Sequence, residues 1–140
     1  MSLPITWIDT VGVTVSGNSL TDTGGAFPNS AAASQEVFYG DVEFIFTGGP
    51  AAYPVQEVMA GLSHTNPDHN YTSIQFAFYL ANDGHVYVFE SGVNKGSVVT
   101  GYSSGDTYKI KRVGSVITYY YNSSLIYTSA TASSDTLLVD

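Results

Sequence analysis

Residues 64–71, His64-Thr65-Asn66-Pro67-Asp68-His69-Asn70-Tyr71, form the most polar stretch of the chain. Asn and Asp oxygens at this density suit hydroxyl groups or calcium, and imidazoles suit a transition metal. The stretch links two expected strands, where all-β domains commonly carry function. Tyr71 adds a ring on which a sugar can stack. The spacing matches no EF-hand, and the ordinary fate of such a loop is to hydrogen-bond its own backbone. The sequence therefore nominates His64, Asn66, Asp68, Asn70 and Tyr71 as ligand-binding residues, with Tyr53 joining them from the irregular stretch 48–55. It assigns no metal ligand and no cofactor; calcium is the ion these oxygens would suit.

Signs of catalysis are few. No Gly-x-Ser-x-Gly occurs, although a Ser-His-Asp set assembled in space leaves no mark in a sequence. Glu36, Glu43, Glu57 and Glu90 read as isolated carboxylates. His64, His69 and His85 read as loop or strand-edge residues with solvated rings. There is no cysteine, which excludes disulfides, thiolate zinc sites and thiol nucleophiles. The expectation is a chain that is not an enzyme. Among eleven tyrosines, alternation places several outward. Trp7, Tyr53, Tyr71, Tyr79, Tyr87, Tyr119 and Tyr121 are the candidates, suited to sugars or to a protein interface. Asn70-Tyr71-Thr72 and Asn122-Ser123-Ser124 match the glycosylation acceptor pattern, which matters only in a eukaryotic secretory route.

Four Lys and Arg stand against twelve Asp and Glu, giving a net charge of -8. That balance argues against nucleic acid and anionic membrane partners, which need clustered positive charge. Lys109, Lys111 and Arg112 read as the solvated face of one strand. No apolar run reaches the roughly 20 residues of a membrane helix, and no signal peptide is visible at the start.

These residues need elements to position them, and the pattern supplies strands. Val11, Val13 and Val15 alternate, as do Val42, Phe44 and Phe46, and Ile74, Phe76, Phe78 and Leu80. Period two sends each set toward a core; Phe44, Phe76, Phe78, Val88 and Ile110 are the expected core. Further strands are expected at 58–63, 85–90, 97–101, 108–111, 116–121, 125–128 and 136–139. Ala31-Ala32-Ala33-Ser34-Gln35 makes one helical turn at most, capped by Asn29 or Ser30. Asn82-Asp83-Gly84, residues 91–96, Val113-Gly114-Ser115 and Asn122-Ser123-Ser124 read as hairpin turns. The result is an all-β chain whose second half is an antiparallel meander, with residues 1–140 forming one domain.

Residues 76–129 carry a recognisable order: Val86-Tyr87-Val88-Phe89-Glu90-Ser91-Gly92, Gly105-Asp106, Tyr108-Lys109-Ile110, Val116-Ile117-Thr118-Tyr119-Tyr120-Tyr121-Asn122 and Leu125-Ile126-Tyr127. It resembles the concanavalin A-like lectin/glucanase sandwiches, including bacterial and phage-associated modules and SPRY-type domains. Those carry a comparable Gly-Asp, strand, Tyr-Tyr-x-Asn-Gly, strand hairpin. Trp7, residues 15–21 and Gly40-Asp41-Val42-Glu43-Phe44 fit the same group. The usual Asn-Gly turn is Asn122-Ser123 here. The chain stops immediately after a strand, as a piece of a longer protein would.

The resemblance implies a two-sheet antiparallel β-sandwich of jelly-roll type. Glycosidases of that group carry a Glu-x-Asp-x-x-Glu strand, which is absent here, and legume-type lectins carry a metal spacing that this loop lacks. The implied function is a non-catalytic carbohydrate-binding or adhesion module of an extracellular or phage-associated protein, with a glycan or protein surface as partner. The alternatives are a self-assembling structural subunit of a virion or surface, or a SPRY-like peptide-binding module. Extracellular or virion-associated localisation is expected, with no nucleic acid and no membrane as partner.

Overall fold

The computed structural model describes residues 2–23, 30–48 and 57–140. Within them the chain is all-β apart from one 3-10 turn, Tyr71–Ser73. The strands are β1 (Trp7–Val11), β2 (Val13–Ser16), β3 (Ser19–Asp22), β4 (Ala31–Ser34), β5 (Val42–Thr47), β6 (Val58–Ser63), β7 (Phe76–Leu80), β8 (His85–Glu90), β9 (Val93–Thr100), β10 (Thr107–Val113), β11 (Val116–Tyr121), β12 (Ser124–Thr128) and β13 (Leu138–Val139). All pairing is antiparallel. One sheet runs β13-β6-β7-β8-β9 and another β12-β11-β10-β5; β1-β4 and β2-β3 are two-stranded. The expected meander is therefore split, β6 to β9 in one sheet and β10 to β12 in the other. Among the described residues no helix is long and apolar enough to cross a membrane.

The two larger sheets meet in one apolar core. Leu62, Phe76, Phe78, Leu80, Val86 and Val88 come from the five-stranded sheet, and Tyr108, Ile110, Ile117 and Tyr119 from the four-stranded one. Phe78 stands edge-on to both Tyr108 and Tyr119, with ring centroids 5.4 and 5.2 Å away. Four of the five expected core residues are fully buried. Phe44 is only half-buried, because β5 is the edge strand of its sheet.

Four expectations are corrected. Residues 31–34 form a strand rather than a helical turn, since β1 offers backbone partners that outweigh the helix preference of alanine. Val11, Val13 and Val15 do not reach the core; Val15 opposes Leu20 in the β2–β3 hairpin, and both are exposed. The Trp7 indole N–H donates to the Gly17 carbonyl at 3.2 Å, linking this hairpin to β1. Arg112 is not on a solvated face. It shares the inward face with Ile110 and is 1% exposed, while Lys109 and Lys111 alone face outward toward Glu43. Tyr119 is likewise buried; its hydroxyl donates to the Glu90 carboxylate at 3.2 Å. Burial, and then the Glu90 charge, push its phenol up.

Turn chemistry departs from the expected pattern between β8 and β9, while the turn at Asn122-Ser123 forms where it was expected. Ser91-Gly92 alone closes the β8–β9 hairpin, both at positive φ, so β9 begins at Val93 rather than Ser97. Asn122 and Ser123 have φ of 44° and 70°, the values an Asn-Gly hairpin turn adopts. Serine tolerates that region poorly. Ser123→Gly is expected to stabilise the fold by about 0.5–1 kcal/mol, read as a raised denaturation midpoint. An unchanged or lowered midpoint contradicts a strained turn. Asp106 braces the same corner, accepting from the Tyr121 hydroxyl at 2.6 Å, Asn122 Nδ2 at 3.0 Å and the Ser103 N–H at 2.6 Å. Burial pushes its carboxyl up, but these hydrogen bonds outweigh it and hold it below the usual carboxylate range.

Candidate functional site

Val86 and Val88 point into the core, so alternation along β8 sends His85, Tyr87 and Phe89 to the opposite face of the sheet. Tyr79 reaches that same face from β7, because Phe78 and Leu80 point inward and Tyr79 pairs with Tyr87. A fifth ring comes from outside the sheet. The 3-10 turn Tyr71–Ser73 is capped by Asn70, whose side chain accepts from the Thr72 N–H at 3.2 Å. It is seated on the β8–β9 turn, where the Ser91 N–H donates to the Ile74 carbonyl at 3.0 Å. Gly92 makes this approach feasible. Besides its positive φ, a Cβ there would lie 2.8 Å from the Thr72 side chain. So placed, Tyr71 stands edge-on to Phe89.

The outcome is a continuous ladder of rings. Centroids are 6.2 Å apart for Tyr71 and Phe89, 5.5 Å for Phe89 and Tyr79, 6.1 Å for Tyr79 and Tyr87, and 6.0 Å for Tyr87 and His85. His85 and Phe89 alone span about 13 Å of extended strand. The four sheet residues are half-buried and Tyr71 is 41% exposed. An open pocket of about 230 Å³, lined by Asp83, Gly84, His85, Thr100, Gly101 and Tyr102, lies at the His85 end.

Two carboxylates orient the central rings. The Tyr79 hydroxyl donates to Glu57 Oε1 at 2.8 Å and the Tyr87 hydroxyl to Asp83 Oδ2 at 2.7 Å. Burial first, then the Glu57 hydrogen bond, push the Tyr79 phenol up; the Asp83 hydrogen bond, then burial, do the same for Tyr87. Both rings stay neutral. In return the Tyr87 hydroxyl and the His85 backbone N–H hold the Asp83 carboxyl below its ordinary value. His85 Nδ1 lies 3.4 Å from Asp83 Oδ1 without a well-formed hydrogen bond.

The loop nominated by the sequence is only partly this site. Tyr71 joins the ladder. Asp68 Oδ1 accepts from the Asn70 N–H at 2.9 Å, so Asp68 and Asn70 each give an oxygen to the loop backbone. Asn66 donates to Asp9 Oδ2 at 2.9 Å. Tyr53 lies outside the described residues. Asp68 and His69 are near enough to Asp140, which pairs with Gly61 of β6, to act on its carboxyl; burial raises it, and Asp68 adds to that. Among the described residues no three His, Asp or Glu side chains converge to hold a metal ion.

His64 turns elsewhere. Its Nε2 lies 3.1 Å from Ser133 Oγ and its Nδ1 4.0 Å from Asp135 Oδ2. This is a Ser-His-Asp set assembled from distant residues, but it is sealed. Ser133 is 2% exposed, and Arg112 Nη1 donates to its oxygen at 3.3 Å. A hydroxyl held by a cation and closed to substrate is a poor nucleophile. Asp41 stands two residues before Glu43, so Glu43 is not isolated. Both are engaged, Asp41 by the Gly114 N–H and Glu43 by Lys109 and Lys111.

Sequence reasoning had Tyr71, Tyr79 and Tyr87 among its aromatic candidates but missed His85 and Phe89, whose period-two spacing with Tyr87 was the available signal. Glu57 and Asp83 carried none. No protein-family model matches the chain, and no curated protein matches it.

Proposed function

We propose that this chain is a non-catalytic carbohydrate-binding module whose ligand lies along the Tyr71–Phe89–Tyr79–Tyr87–His85 ladder. The observation that carries this reading is the ladder itself: five rings in unbroken succession on one face, with carboxylate oxygens beside the central two. Sugar rings offer apolar C–H faces to aromatics and hydroxyls to carboxylates, so this surface has both halves of the chemistry. The shared core supports reading the two larger sheets as the layers of a jelly-roll sandwich of the concanavalin A-like kind. On this reading the protein works outside the cell or on a virion, where glycans are met. A glycan array probed with the parent and with Tyr87→Ala tests it. Parent binding to a defined glycan set, weakened at least about tenfold by Tyr87→Ala with an unchanged melting temperature, is the expected result. Parent binding that survives Tyr87→Ala and Phe89→Ala removes the ladder from the account.

Self-assembly is the second reading, favoured by Leu3, Ile8, Val11, Val15 and Leu20, all exposed around the N-terminal hairpin. Such residues become buried when copies associate. On this reading Val15→Ser with Leu20→Ser abolishes any concentration-dependent association seen by sedimentation.

A further inference from the structure

The ladder's charge is one-sided. Glu57 gives one oxygen to the Tyr79 hydroxyl, while Asp83 accepts from the Tyr87 hydroxyl on Oδ2 and from the His85 N–H on Oδ1 at 3.0 Å, leaving a second lone pair on each oxygen. Glu57 is exposed, and the Asp83 side chain is 49% exposed. Both therefore keep lone pairs open to a ligand. All four basic residues are engaged elsewhere. Lys109 and Lys111 meet Glu43 on the four-stranded sheet, with Lys109 also 4.5 Å over the Tyr120 ring. Lys95 is paired with the buried Glu90, and Arg112 is buried under carbonyl groups. Among the described residues no lysine or arginine forms an ion pair with Glu57 or Asp83 or a cation–π contact with a ladder ring.

Aromatic faces and carboxylates attract the same thing. A ring face carries negative potential and draws an ammonium group within about 6 Å of its centroid. A carboxylate beside it adds a charge-assisted hydrogen bond. A neutral sugar uses the ring and gains little from the charge; an acidic sugar is repelled by it. We infer that the ladder selects a cationic glycan, an oligomer of hexosamine with free amino groups. Its sugar rings stack along Phe89, Tyr79 and Tyr87. An ammonium group enters the pocket between Asp83, His85 and Tyr102. The pocket of about 230 Å³ lies open at the His85 end of the ladder and has room for the end of such a chain.

This inference rests on the glycan reading and narrows it to one ligand class. The charge on the molecule as a whole, -8, acts in the same direction by drawing cations to the surface. The site geometry decides between a cationic glycan and a basic peptide. The rings follow one another across one sheet face from the 3-10 turn over β8 and β7, at spacings that suit successive sugar units, and the carboxylates are tied to ring hydroxyls rather than lining a peptide groove.

The test is calorimetric titration at low salt and near-neutral pH with three probes: the hexamer of glucosamine, the hexamer of N-acetylglucosamine and hexalysine. Parent, Asp83→Asn and Glu57→Gln proteins are compared. Glutamine retains an acceptor for Tyr79; asparagine keeps its oxygen on the His85 N–H and can donate its amide N–H to the Tyr87 hydroxyl oxygen, so the ladder keeps its shape. The expected result is at least about tenfold tighter binding of the amine oligomer than of the acetylated one. That advantage is lost in Asp83→Asn and shrinks with added salt. Equal affinity for the two sugars, unaffected by Asp83→Asn, overturns the cationic preference and leaves the glycan reading standing. Hexalysine binding as tightly as the amine sugar overturns both, and makes the face a docking surface for basic peptides. Failure of both sugars to bind overturns the inference, while an array signal elsewhere lost with Tyr87→Ala keeps the wider reading.

Discussion

Phe78→Ala is expected to destabilise the protein by about 3–5 kcal/mol, a large fraction of the stability of a domain this size. Phe78 is fully buried and is the ring where the two larger sheets touch. Its centroid lies 6.1 Å from Phe46, 5.4 Å from Tyr108 and 5.2 Å from Tyr119, so one ring contacts strands β5, β10 and β11. Truncation loses the transfer energy of the ring and leaves a cavity between layers that backbone pairing keeps from collapsing. The matched control is Ile45→Ala. Ile45 is 55% exposed on the outward face of β5, and its loss is expected to cost under about 1 kcal/mol. Urea denaturation of both variants, at equal slope, gives the comparison. A Phe78→Ala variant as stable as Ile45→Ala would mean the sheets do not share this core.

Arg112→Met carries the second large effect. The guanidinium is buried with no carboxylate beside it. Nε donates to the Gly40 carbonyl at 2.7 Å, Nη1 to the Asp135 carbonyl at 2.5 Å and to Ser133 Oγ at 3.3 Å, and Nη2 reaches toward the Phe38 carbonyl at 3.5 Å. It thereby ties the approach to β5 to the approach to β13, two segments far apart in the chain. Phe38 and Leu137 already form a backbone bridge at this point. Methionine keeps most of the apolar stem but leaves these acceptors unpaired in a dry site, at a cost of about 1–3 kcal/mol for each group left unsatisfied. A total loss of about 3 kcal/mol or more is expected. Lys111→Met, next door but paired with Glu43 at the surface, is expected to change stability by at most about 1 kcal/mol. Equal effects for the two would show that the buried clamp is not holding the C-terminal segment.

Both residues bear on how far the fold was legible. β6, β8 and β11 start and end where they were expected; in β8 inward and outward residues contrast sharply, whereas β6 and β11 owe their bounds to the turn residues flanking them. Arg112 was misplaced although the signal existed: it follows Ile110 by two, and two residues along a strand is the same face. Charge was allowed to override phase. Tyr119 failed for a related reason. Tyr119-Tyr120-Tyr121 has no contrast of its own, and only the step from Ile117 reveals which ring turns inward.

The N-terminal valines show the opposite limit. Their alternation indicates extended chain, but Gly12 at φ 59° divides it between β1 and β2, and a strand pattern does not say that a second layer covers its apolar face. Among the described residues β2 and β3 form a sheet only with each other; Val15 is exposed and Val13 only half-buried. The site divides in the same way. His85-x-Tyr87-x-Phe89 was readable as an outward aromatic row. That Tyr71 would join it depended on Gly92 admitting the 3-10 turn, and that Asp68 and Asn70 would turn back on their own loop depended on backbone geometry.

The most direct test of the ladder as a glycan-binding face is an isotope-edited NMR titration of the protein with its best array ligand. Amide and side-chain shifts are expected to be confined to Tyr71, Tyr79, Asp83, His85, Tyr87, Phe89 and their strand neighbours on β7 and β8. Saturation transfer should run from the Tyr79 and Tyr87 rings to sugar C–H protons. Shifts clustered instead on the outward face of β5 and β10, or on the β2–β3 hairpin, with the ladder unmoved, would contradict it.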